Sequence, residues 1–65
     1  MDELREQAVV SMMTTLGWTR EKSVKWEHNL YNSDWKTESD YVMKLYSFID
    51  NAVIADNLQK QGANI

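Results

Sequence analysis

His28 is the only side chain in this sequence whose ordinary titration lies near neutrality, so acid–base or metal chemistry would have to begin there. Its usual partners are missing. No cysteine supplies a thiolate, no second histidine stands four residues away, and Glu27 precedes it on a different helical face. Ser11, Ser23, Ser33, Ser39 and Ser47 share that single imidazole as a base, and none lies in a nucleophile-elbow sequence. Gly17 and Gly62 stand alone, whereas a loop that cradles phosphate needs several glycines close together. A chain of 65 residues also has little room for both a core and a pocket of ~300 Å³. The expectation is a non-enzymatic protein with no catalytic residue, no cofactor and no metal.

The tryptophans invite a different chemistry. Trp18, Trp26 and Trp35 all fall in residues 18–36, together with Arg20, Lys22, Lys25 and Lys36 against Glu21, Glu27 and Asp34. Each indole offers about 150–250 Å² of apolar area to a thin core. Trp is equally a residue that dominates binding energy when it stays exposed. Trp26 is the candidate anchor because it lies away from Val24 and Tyr31 on a helix and beside basic side chains. Trp26, Lys22, Lys25 and Leu30 are therefore the expected partner-binding residues.

A core of this size is thin: folding buries only about 60% of the surface that so short a chain exposes when unfolded. With no cysteine there is no disulfide to reinforce it, which suits a reducing compartment. The start, Met1-Asp2-Glu3-Leu4-Arg5-Glu6, is acidic where an export signal is basic. The longest stretch free of ionisable side chains, Gln7 to Thr19, falls short of the ~20 apolar residues of a membrane helix. The expectation is a soluble, cytoplasmic protein without membrane contact. Its net charge is −3, with the acids gathered mainly towards the two ends.

No proline interrupts the chain, so one helical unit is expected rather than modules joined by linkers. At 100° per residue, Leu4, Ala8, Val9, Met12, Met13 and Leu16 share half of a helix over about residues 3–16, with Asp2 as its N-cap and Gly17 as its stop. Thr19 caps a second helix over about 20–31, whose apolar pattern is split between Val24 and Tyr31 on one side and Trp26 and Leu30 on another. Asn32-Ser33-Asp34 reads as a turn. Thr37 and Asp40 then form a capping box with Asp in place of Glu, opening a third helix over about 38–60. Tyr41, Leu45, Phe48, Ala52 and Ala55 make its first apolar seam, and Val42, Tyr46, Ile49 and Val53 make a second. Residues 61–65 read as a frayed tail.

The predicted fold is all-α, a small three-helix bundle in a single domain with a long C-terminal helix completed by dimerisation. The third helix would span about 35 Å, against about 21 and 18 Å for the other two. Met43, Ile54 and Leu58 fall on the arc opposite the core seam, beside Ser47 and Asp50, and are the expected self-association residues of a homodimer.

Gly17-Trp18-Thr19-Arg20, followed by Trp26-Glu27, resembles the turn and recognition-helix stretch of Cro/repressor-type helix-turn-helix proteins over about a dozen residues. Met13 and Ser23 stand where that family carries a small residue and a buried aliphatic, with Val24 one place later. The resemblance implies that Thr19, Arg20, Lys22 and Lys25 face DNA, the cations contacting mainly phosphate. Net acidity opposes phosphate binding. The leading expectation is therefore a regulatory or adaptor protein that binds a protein partner, in its sharper form an acidic phage- or plasmid-type inhibitor of a host protein. DNA binding through residues 17–27 is the alternative.

Overall fold

The computed structural model describes residues 2–62, the last four by backbone alone. Three helices account for the fold: α1 (Asp2–Leu16), α2 (Arg20–Tyr31) and α3 (Glu38–Gly62). No strand occurs among the described residues.

Local chemistry sets the ends of these helices. Asp2 is already inside the first turn of α1, where with Glu3 it faces the positive end of the helix dipole; it is not the residue ahead of the helix. Gly17 stops α1 in the left-handed conformation, at φ +69°. Thr19 then caps α2: its backbone is extended, and its hydroxyl accepts the Lys22 amide at 3.2 Å. The reversal after α2 forms where expected, with the Ser33 amide and hydroxyl both donating to the Leu30 carbonyl at 3.1 and 2.6 Å. The capping box of α3 is reciprocal. The Asp40 amide donates to the Thr37 hydroxyl at 3.2 Å, and the Thr37 amide donates to the Asp40 carboxylate at 3.3 Å. Helix α3 continues through Gln61 and Gly62, which were expected to fray, while residues 63–65 of the expected tail lie outside the described residues.

Ala8 and Met12 of α1 meet Tyr41, Leu45 and Ile49 of α3 in the buried core, and Leu4, Leu16, Trp18, Leu30, Tyr31, Trp35, Val42, Phe48 and Val53 pack around it. The apolar side of α1 is thus the expected one. Two members of the α3 seams depart from expectation: Tyr46 is 62% exposed and Ala55 is also exposed. Tyr46 lies 60° from Met43 on the helical wheel, at the edge of a face that two short helices are too narrow to cover.

Helix α2 is amphipathic in an unexpected sense. Its buried ridge is Ser23 and Glu27, which run between the two apolar sides, leaving Val24 and Trp26 at its margins about 40% exposed. Ser23 is satisfied locally, its hydroxyl donating to the Thr19 carbonyl at 2.8 Å.

Side-chain contacts also fix how α2 meets α1. Arg5 of α1 reaches Glu27 and the Tyr31 ring of α2, and Glu6 forms an ion pair with Arg20 at 2.9 Å, so both ends of α2 are tied to the first turns of α1 across the three-residue turn 17–19.

Candidate functional site

Glu27 is 3% exposed and receives three hydrogen bonds: from Arg5 Nε at 2.9 Å and Nη2 at 3.0 Å, and from the Tyr41 hydroxyl at 2.8 Å. One residue from each helix thus meets at a single carboxylate. The Arg5 guanidinium lies 3.7 Å above the centre of the Tyr31 ring, and its Nη2 is 3.4 Å from His28 Nδ1. Burial first, then the hydrogen bond to Glu27 and the charge of that carboxylate, push the Tyr41 phenol well above the ordinary tyrosine range. The hydrogen bond to Glu27 likewise holds Arg5 above its usual value. With donors from α1 and α3 on a carboxylate of α2, the arrangement clamps three helices. His28 sits at its exposed edge, and among the described residues no three His, Cys, Asp or Glu side chains gather into a cation site.

Two aromatic groups flank the clamp. Tyr31, Trp35 and Tyr41 pack tilted or edge-to-face at centroid distances of 5.6–6.4 Å, with the Trp35 indole donating to the Tyr31 carbonyl at 2.7 Å. Trp18, Trp26 and Phe48 form the second, at 5.7–6.2 Å. Trp18 and Trp35 are half-buried against the core, whereas Trp26 remains 39% exposed.

Beside Trp26 the surface forms an open groove of about 420 Å³ lined by Thr19, Glu21, Lys22, Lys25 and Trp26. Three expected partner-binding residues, Trp26, Lys22 and Lys25, therefore share one surface. The fourth does not: Leu30 is half-buried against the core, because the wheel that places it near Trp26 also places it beside the Ser23–Glu27 ridge. Lys22 Nζ rests 4.3 Å from the centre of the Trp18 ring, which fixes its charge at the groove wall.

The second surface is the outer arc of α3. Met43, Ile54 and Leu58, the expected self-association residues, are 68%, 55% and 62% exposed, and Tyr46 joins them at 62%. Ser47 and Asp50 stand between them, also exposed. Along α3 as far as residue 58, burial ends at Ile49 and half-burial at Val53, and residues 54–58 are all exposed. The sequence located this arc through period alone, except that Tyr46 was assigned inward. The Arg5–Glu27–Tyr41 clamp was missed, since nothing in the spacing of three residues on three helices links them.

No protein-family model, curated protein or solved structure matches the chain. Among the described residues no helix is long and apolar enough to cross a membrane.

Proposed function

We propose that the protein is a non-enzymatic regulatory or adaptor protein that works by protein–protein binding, associating with itself through α3 and meeting a second protein at the Trp26 groove. The observation that carries this reading is the exposed apolar arc of Met43, Tyr46, Ile54 and Leu58 on α3. Scattered apolar residues on a surface need no explanation, but a row along one arc marks an interaction face. Lys22 and Lys25 beside a partly exposed indole suit a partner that presents acidic and apolar side chains together. Ile54→Asp tests the reading, since a carboxylate in a desolvated contact has no partner there. Wild-type protein should sediment at equilibrium above the 7.6 kDa chain mass in the micromolar range, and the variant should move towards it. Identical masses for the two proteins would count against α3 as the association face.

One observation favours a second reading, DNA binding. Helices α1 and α2 are joined by a three-residue turn that opens on Gly17, and Ser23 is buried at the position where the resemblance to helix-turn-helix proteins places a buried residue. Its test is a salt-dependent mobility shift of duplex DNA by the pure protein.

A further inference from the structure

The molecule is too extended and too exposed for its mass. Its Cα atoms fill a box of 43 × 21 × 15 Å with a radius of gyration of 12.8 Å, whereas a compact chain of this length has about 11 Å. Its accessible surface is 4870 Å², about 600 Å² more than the ~4300 Å² expected of a compact 7.6 kDa monomer. If both copies in a dimer cover that excess, the interface totals about 1200 Å², the lower end of what a specific protein contact needs. The excess is therefore one interface in size.

We infer that the cover is a second copy of this chain, packed antiparallel along α3 with Met43 against the partner's Ile54 and Ser47 against the partner's Asp50. This inference rests on the self-association reading and adds its register. A two-fold contact must pair each residue of the arc with another residue of the same arc. Asp50 decides which pairs. Centred on the middle of the arc, between residues 50 and 51, the contact would bring the two Asp50 carboxylates together, and like charges at close range are destabilising. Centred instead level with residues 48 and 49, about one helical half-turn away, it sets each Asp50 opposite a Ser47 hydroxyl that can donate to it. In the same register Met43 meets Ile54 on both sides of the axis, so apolar contacts enclose the polar pair. Tyr46 then lies along the rim near the partner's Val53, covering the side chain that the monomer leaves most oddly placed.

The chain has no cysteine, so introduced thiols report the register directly. In this arrangement two residues at position 43 lie about 16 Å apart along the axis, being eleven helical steps offset, and cannot be bridged. Met43→Cys and Ile54→Cys, mixed and oxidised with copper–phenanthroline, should link almost wholly as the mixed dimer, while each alone stays monomeric on a denaturing gel. Sedimentation of the unaltered chain runs alongside, because either substitution can weaken association by itself. A dimeric wild type with Ile54→Cys linking to itself overturns the register and leaves self-association standing. A wild type that stays at the mass of one chain overturns both, assigning the arc to a different protein.

Discussion

The Tyr41 phenol donates to a carboxylate that Arg5 already holds, and the pair is sealed from water. Such a proton is harder to remove than in the unfolded chain, where tyrosine titrates near pH 10. Because the folded state keeps a proton that the unfolded state releases, stability is full below about pH 10 and falls as the pH rises beyond it. Urea unfolding followed from neutral to strongly alkaline pH should show that decline in the wild type and a shallower one in Tyr41→Phe. At neutral pH the same substitution should cost about 1.5–3 kcal/mol, the value of a hydrogen bond to a charged group. Parallel pH profiles for the two proteins would mean that the Tyr41 proton does not contribute. The surface pair Arg20–Glu6, more than half exposed on both sides, contributes at most about 1 kcal/mol by comparison.

At the scale of the element, the turn between α1 and α2 depends on Gly17 for conformation alone. A Cβ built there meets nothing within 4 Å, yet φ is +69°. Gly17→Ala should therefore destabilise by about 1–2 kcal/mol, the cost of a left-handed non-glycine residue, with helical content unchanged by circular dichroism. A much larger loss in urea unfolding would reveal a contact that the geometry does not show. Helices α1 and α3 were legible because their buried residues are apolar and recur at 3.6; the caps at Thr19 and Thr37 were legible because capping is chemistry between neighbours in sequence. Helix α2 was not legible in the same way. Its buried ridge is a serine and a glutamate, residues that ordinarily signal the wet face, and only the third dimension supplies the Arg5 and Tyr41 that make Glu27 tolerable there. The Trp26 groove was readable from indole and lysine spacing, and Leu30 was misplaced for want of that ridge.

For the whole molecule, association and folding are one equilibrium if α3 needs a second copy to cover it. The melting temperature should then rise with protein concentration, as it must when the folded form is a dimer and the unfolded form is not. A melting temperature constant across the micromolar range would separate the two processes and leave a monomer that folds alone. The shape has a hydrodynamic consequence as well. Helix α3, about 37 Å long from its 25 residues, must lie close to the 43 Å axis of the molecule. All its amide N–H bonds point along that axis, so a lone chain would relax them through slow end-over-end rotation, whereas the N–H bonds of the 17–19 turn also sense the faster spin about it. Face-to-face pairing thickens the particle without lengthening it much, and the contrast in nitrogen relaxation between helix and turn would shrink even as overall rotation slows.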